Sequence, residues 1–246
     1  MKILLNNNDS NEALYGASNL GFVPTMGSLH KGHISLIKKS LKQCNKTIVS
    51  IFVNPTQFNS KKDYKKYSKN NKKDLLILRK LKVNFVYLPN KKSIYGTQIK
   101  TKIRLNNKDK ILCAKYRKGH FEGVIGVMDR LTKLIRPKKI FMGEKDFQQF
   151  LLVKKYIETN YKSKIILCKT IRDKDKLALS SRNILLNKKE LIIAKKISKN
   201  MISFKKKLFK KKNIKKLLSL KKNELNKIHN IKIEYLELRS IINLKI

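Results

Sequence analysis

The stretch LGFVPTMGSLHKGHISLIKKSL, Leu20 to Leu41, changes its hydrophobic period halfway along, and that change decides the fold. Leu20 to Pro24 reads as a short buried strand, and Thr25-Met26-Gly27 turns the chain. Leu29, Ile34, Leu36, Ile37 and Leu41 then recur at helical spacing. TIVSIFV, Thr47 to Val53, follows as an unbroken β-branched run, the pattern of a parallel strand covered on both faces, and Asn54-Pro55 ends it.

The same alternation continues outward. Ser60 to Lys73 reads as a solvated loop or helix face, Asp74 to Leu81 as a helix, and VNFVYLP as a buried strand closed by Pro89. Gly123 to Ile135 reads as a helix, KIFMG as a strand, Lys145 to Tyr161 as a helix, and KIILCKTI as a strand. Strands alternating with helices imply right-handed crossovers and a parallel sheet with helices on both faces, an α/β fold. After about Arg172 the chain turns helical and lysine-heavy, with IKIEYLEL (Ile231 to Leu238) as a late strand. The expected domains are therefore residues 1–172 and a smaller α+β domain over 173–246. The tract from Lys205 to Lys222 reads as an exposed helix face.

Composition narrows the class. A hydrophobic fraction of 41%, with ten Phe and nine Tyr in 246 residues, supplies the core that a disordered basic tail lacks. The formal net charge of +44 alone would point to nucleic acid. Lysine, however, is spread along the whole chain, Arg is rare, and Asn and Ile are abundant. That is the signature of AT-rich codons filling tolerant surface positions, so no specific nucleic-acid partner is expected. Cys44, Cys113 and Cys168 are odd in number and lack CxxC pairing, which predicts reduced thiols and a cytoplasmic setting. MKILL is followed at once by NNND, leaving no signal-peptide core, and no apolar run approaches a membrane span, so no membrane partner is expected.

In an open parallel sheet, ligands bind beyond the carboxyl ends of the strands. Four such segments abandon the lysine and asparagine monotony: PTMGSLHKGH, NPTQF, GEKDFQQ and IRDKDKLALSSRN. His30 and His33 stand at i and i+3 at a helix start, where free N–H groups favour an anion, and Gly32 leaves room for a flat ring. Two imidazoles there suit the charge that grows on a phosphate during transfer. They could also be surface histidines or metal ligands, but no further His, Cys or carboxylate cluster accompanies them. Lys145 could pair with phosphate oxygens and Asp146 with Mg²⁺ or a ribose hydroxyl. Ser180, Ser181 and Arg182 suit a triphosphate tail, and Gln57 and Gln149 are neutral amides suited to a small polar substrate.

These blocks resemble the pantothenate synthetase (pantoate:β-alanine ligase) family of the HxGH nucleotidyltransferase superfamily. VPTMGxLHxGH reads VPTMGSLHKGH, IFVNPTQF is intact from Ile51 to Phe58, and RxGHFxGV reads RKGHFEGV from Arg117 to Val124. GxKDxQQ reads GEKDFQQ, and TxRxxDGLALSSRN reads TIRDKDKLALSSRN. The resemblance implies a Rossmann-like fold and a two-step ligation. Pantoate attacks the α-phosphate of Mg·ATP to give pantoyl adenylate, and β-alanine then displaces AMP to form pantothenate, a coenzyme A precursor. It places the ATP site on Met26, Gly27, Ser28, Leu29, His30, Lys31, Gly32 and His33, and on Gly143, Glu144, Lys145 and Asp146. Ile171, Leu179, Ser180, Ser181 and Arg182 complete it. His33 is the implied proton donor, assisted by His30 and Lys145; Gln57 would contact pantoate and β-alanine, and Gln149 pantoate. A homodimer is implied as well.

There are departures. The family's YPR motif and acidic run become YSKNNKKD, which keeps Tyr67 and Asp74 and puts lysines in place of acids. The Gly of DGLALSSRN is Lys176, and IEYLEL stands near the end of the chain, which predicts a pared-down C-terminal lid. The rival readings are another nucleotidyltransferase of the superfamily and a degenerate basic nucleic-acid-binding protein.

Overall fold

Strand and helix alternate through the first 171 residues of the computed structural model, which describes residues 1–97, 103–208, 213–229 and 231–246. One compact unit comprises residues 1–171 and 179–182, the other residues 172–178 and 183–246. In the first unit, β1 (Lys2–Leu4), α1 (Asn7–Leu14), β2 (Leu20–Thr25), α2 (Lys31–Gln43) and β3 (Lys46–Ile51) come first. Next are α3 (Lys61–Lys66), α4 (Asn71–Lys80), β4 (Phe85–Tyr87), α5 (Lys91–Tyr95) and α6 (Cys113–Tyr116). The unit continues with α7 (His120–Ile135), β5 (Lys139–Gly143), α8 (Phe147–Asn160) and β6 (Lys164–Cys168).

All pairings are parallel, in the order β1-β4-β3-β2-β5-β6. Side chains alternate across the pleat. Phe22, Ile48, Phe85 and Ile140 meet Met128 of α7 and Ile157 of α8 in one core layer. Their neighbours Val23, Val49, Val86 and Phe141 meet Leu36 and Ile37 of α2 and Leu78 of α4 in the other. Helices therefore cover both faces, as the unbroken apolar strands predict. From β2 the chain winds through β3 and β4 to one side, then returns to place β5 on the other side of β2. This reversal opens a crevice at the carboxyl ends of β2 and β5, the position where such sheets take ligands.

The first residues form elements that the periodicity did not assign. Lys2–Leu4 pairs with β4, Leu4 is fully buried, and NNND is a helix start, with the Asn6 side chain accepting the Asp9 N–H at 2.9 Å. A three-residue strand carries too little period to be read alone, and its partner lies about eighty residues on.

The second unit contains α9 (Lys188–Leu208) and α10 (Ile214–Asn226). The strand expected at Ile231–Leu238 is absent among the described residues; the unit's β pairing is a single antiparallel bridge, Arg172 with Ala178. A strand needs a ladder, and here side chains take backbone groups instead. Asn226 Oδ1 accepts the Ile233 N–H at 2.8 Å, and Lys222 Nζ donates to the Glu234 carbonyl at 3.1 Å. The Lys205–Lys222 tract covers the end of α9 and much of α10, with residues 209–212 outside the described residues. Lys221 departs from the exposed-face expectation: it is buried, its ammonium 2.7 Å from Glu224 and over the Phe204 ring.

Lys176 has φ 69°, a left-handed conformation, at the position where the family pattern has glycine. That conformation costs an L-residue about 1–2 kcal/mol, while glycine's extra unfolded-state entropy costs about 0.5–1 kcal/mol. Lys176→Gly is therefore expected to stabilise the protein by about 0.5 kcal/mol, read as a higher urea midpoint; a lower midpoint would show that the lysine side chain holds the turn.

Candidate active site

The turn after β2 is held from below. Thr25 Oγ1 donates to the Ser50 carbonyl at 2.7 Å and accepts the Gly27 N–H at 3.2 Å. Gly27 and Ser28 both have positive φ, 81° and 53°. The Asp74 carboxylate of α4, 1% exposed, accepts the Ser28 N–H at 2.7 Å on one oxygen and the Leu29 N–H at 2.8 Å on the other. A buried carboxylate is tolerated when its lone pairs are so engaged. A Cβ on Gly27 would come within 3.0 Å of that carboxylate, so backbone conformation and packing both require glycine.

This clamp delivers His30 to the N-cap of α2. His30 Nδ1 accepts the Gly32 N–H at 3.0 Å, and His33 Nδ1 accepts the His30 N–H at 3.3 Å, closing a capping box made of two imidazoles. The rings lie 4.1 Å apart between centroids. The flat ring that Gly32 accommodates is His30's own, since an added Cβ would sit 2.7 Å from its Cε1. Because each Nδ1 accepts from a backbone amide, each neutral ring carries its proton on Nε2. Burial, reinforced by the neighbouring His30 and Lys145, pushes His33 down to about 3; burial and then Lys145 lower His30 as well. Two helix N–H groups expected to face an anion are thus taken by the rings, which offer Nε2–H donors in their place.

A second clamp fixes NPTQF. Pro55–Gln57 forms a 3₁₀ turn after β3, capped by Asn54, and packs on the start of α7. Asn54 Nδ2 donates to the Gly123 carbonyl at 3.0 Å, and His120 Nδ1 lies 2.6 Å from the Gln57 carbonyl. Tyr95 joins through its hydroxyl to Asn54 and Thr56. A Cβ on Gly123 would lie 2.3 Å from the Thr56 carbonyl oxygen, so helix and turn meet backbone to backbone. The result aims the Gln57 amide, whose Nε2 is 2.9 Å from Met26 Sδ, at the turn after β2.

Beyond β5, Glu144–Asp146 forms a 3₁₀ turn in which Lys145 Nζ pairs with Asp146 at 2.8 Å, both exposed. Glu144 accepts from the Thr170 N–H at 3.2 Å, tying this turn to the segment after β6. That segment returns by a Leu179 N–H to Ile171 carbonyl bond of 3.0 Å. Ser180 Oγ then accepts the Arg182 N–H, and Ser181 Oγ lies 3.0 Å from the Tyr67 hydroxyl. The Arg182 guanidinium pairs with Asp63 at 3.2 Å and lies over the Tyr67 and Phe58 rings. Burial and the neighbouring Arg182 push Arg117 below its usual range. The Asp63 and Asp146 carboxylates act on Arg117 in the opposite sense, so the cluster is mixed in charge.

The residues picked out in the sequence thus converge. Met26 to His33 follow β2, Gly143 ends β5 with Glu144 to Asp146 after it, Ile171 and Leu179 to Arg182 follow β6, and Gln57 faces Met26. Lys31 is exposed at the first turn of α2. Gln149 on α8 is half-buried, while its neighbour Gln148 is buried with its amide on the Asp109 and Ile111 carbonyls. Asp74, Arg117, His120 and Tyr67 are the residues that sequence reasoning did not assign to the site. Their signal was there: Arg117 and His120 are non-lysine choices in a lysine-saturated chain.

Such a sheet, with paired imidazoles at its switch point, defines an α/β protein with a candidate phosphate site at its strand ends. A family model, Pantoate-beta-alanine ligase, matches residues 5–246, and the chain belongs to that family. The pantothenate synthetase of Thermodesulfovibrio yellowstonii is 39% identical over 191 residues, 77% of this chain and 68% of that protein. Alignments to three curated relatives span 61–79% of the relatives' lengths. The solved pantothenate synthetase of Thermus thermophilus superposes with a TM-score of 0.91 at 26% identity, covering 100% of this chain and 89% of that one. The pantoate-beta-alanine ligase of Francisella tularensis, complexed with beta-gamma ATP and beta-alanine, gives 0.79 at 36% identity, covering 89% and 84%.

Proposed function

We infer that this chain joins pantoate to β-alanine at the expense of ATP, through a pantoyl adenylate, releasing AMP and pyrophosphate. The observation that carries the reading is the meeting, at one sheet end, of phosphate-suited imidazoles with the Gln57 amide and the Ser180–Arg182 segment. A pantoate carboxylate oxygen attacks the α-phosphorus, and the bond to the bridging oxygen breaks as pyrophosphate leaves. The amine of β-alanine, freed of its extra proton, then attacks the acyl carbon; AMP leaves with the electron pair and the second proton passes to solvent.

In this reading the neutral Nε2–H groups of His30 and His33 donate hydrogen bonds to phosphate oxygens, where charge grows during transfer. Lys145 exchanges Asp146 for the triphosphate, and Ser180, Ser181 and Arg182 hold its tail. Gln57 orients pantoate and then β-alanine, and Gln149 binds the pantoate hydroxyls. Mg²⁺ when bound neutralises phosphate charge. Among the described residues no group of three His, Cys, Asp or Glu could hold a metal. Asp74 is spent on the Ser28 and Leu29 amides, so Asp146 is the carboxylate that fits, with the phosphates themselves supplying other ligands. The buried Cys44 and Cys168 thiols support a reducing, cytoplasmic setting, and family membership supports a homodimer. Among the described residues no helix is long and apolar enough to cross a membrane.

The test is AMP release with each substrate omitted in turn. Release that requires ATP, pantoate and β-alanine together is expected. Release independent of pantoate, or transfer of the nucleotide to a phosphate acceptor, would overturn the reading in favour of another nucleotidyltransferase; RNA binding without turnover would do so in favour of a basic binding protein.

A further inference from the structure

The three histidines at this end of the sheet do not present the same kind of nitrogen. His30 and His33 accept backbone amides at Nδ1 and so carry Nε2–H donors. His120 is the opposite case: its Nδ1 lies 2.6 Å from the Gln57 carbonyl, which can only accept, so the proton is on Nδ1. In the neutral ring, Nε2 is then a lone pair. Burial first, and then the fields of Arg117 and Arg182, push His120 down to about 4, so the ring stays neutral and Nε2 stays an acceptor through the physiological range. The ring is 5% exposed and lies among charges contributed by three site segments: Arg117, Arg182 and Asp146.

We propose that His120 is a further catalytic residue, its Nε2 lone pair accepting a hydrogen bond from the amine of the amino-acid substrate while Arg117 holds that substrate's carboxylate. This rests on the ligase reading above and deepens it. The cations Arg117, Arg182 and Lys145 suit phosphates and carboxylates but repel an ammonium group, and of the nearby carboxylates Asp63 is paired with Arg182 while Asp146 is the one assigned to Mg²⁺. An amino acid carries both charges, so a site for it needs an acceptor beside the cations. His120 supplies one, and its bond to Gln57 fixes it beside the amide assigned to both organic substrates.

Two substitutions separate the ring's two nitrogens. In His120→Asn the side-chain amide reproduces Nδ1–H and keeps the bond to Gln57, but nothing stands at Nε2; in His120→Gln the amide stands near Nε2 and the bond to Gln57 is lost. Pantoate-dependent ATP–pyrophosphate exchange reads the first half-reaction, and single-turnover discharge of the adenylate by β-alanine reads the second. For His120→Asn, discharge by β-alanine is expected to fall about thirtyfold, the scale of losing one hydrogen bond to a charged group, with exchange falling less than about threefold. Discharge by hydroxylamine, an uncharged amine without a carboxylate, should fall much less than discharge by β-alanine. His120→Gln should impair both halves. Equal losses in both halves for His120→Asn would reduce His120 to a structural clamp, and an undiminished β-alanine step would overturn the proposal. Absence of pantoate-dependent exchange in the unsubstituted protein would instead sink the ligase reading itself.

Discussion

His33→Ala is expected to slow pantoyl-adenylate formation by about 10² or more, the scale of removing one preorganised donor from a transition-state oxyanion. Two losses combine. The Nε2–H that would face the phosphate disappears, and so does the Nδ1 acceptor that closes the cap on the His30 N–H, loosening the neighbouring ring. The first loss falls on the rate and the second on the helix start, where a lost cap costs about 1 kcal/mol. Single-turnover adenylation and thermal unfolding, measured on the same preparation, separate them. The depressed pKa adds a pH signature. With its folded value near 3, His33 is neutral from about pH 5 upward, so adenylation should show no imidazole inflection near pH 6.5. A rate that climbed tenfold from pH 7.5 to 5.5, and lost that climb in His33→Ala, would mean that the imidazolium delivers a proton.

Gly123→Ala should be strongly damaging. Alanine is the better helix former by about 1 kcal/mol, so an unhindered substitution at this position of α7 would stabilise. The added carbon, however, would meet the Thr56 carbonyl oxygen at 2.3 Å and its carbon at 2.6 Å, both backbone atoms that cannot swing aside. Overpacking of this kind costs about 1–3 kcal/mol, and here the strain also moves the Pro55–Gln57 turn. The expected result is a net loss of about 2 kcal/mol in urea unfolding and a pantoate KM raised about tenfold or more. Unchanged stability together with an unchanged KM would show that the NPTQF turn is not seated by the helix.

Much of the fold was legible because its main strands are apolar on both faces. Leu20–Thr25, Lys139–Gly143 and Lys164–Cys168 lie where the periodicity puts them, and so does the helix from Lys31. The failures share a cause. IKIEYLEL has the alternation of a strand but forms no strand among the described residues, and Lys2–Leu4 forms one with too few residues to show a period. Strand formation depends on a second segment that a local pattern does not contain. The 3₁₀ turns at Pro55–Gln57 and Glu144–Asp146 were legible as strand-end punctuation, but not as surfaces that dock on other elements.

The sequence by itself determined the α/β class, the four strand-end segments where chemistry collects, and the residue types available there, since periodicity, turn residues and departures from the lysine background are local properties. Only the tertiary structure decided what each of those residues does with its hydrogen bonds. Asp74 reaches back 46 positions to clamp the turn at Ser28, and His120 reaches back 63 to hold Gln57. Those partnerships assign the protons, leaving donors on His30 and His33 and an acceptor on His120. A neutral imidazole has one proton and two nitrogens, and which nitrogen keeps it is settled by the neighbour that the fold supplies.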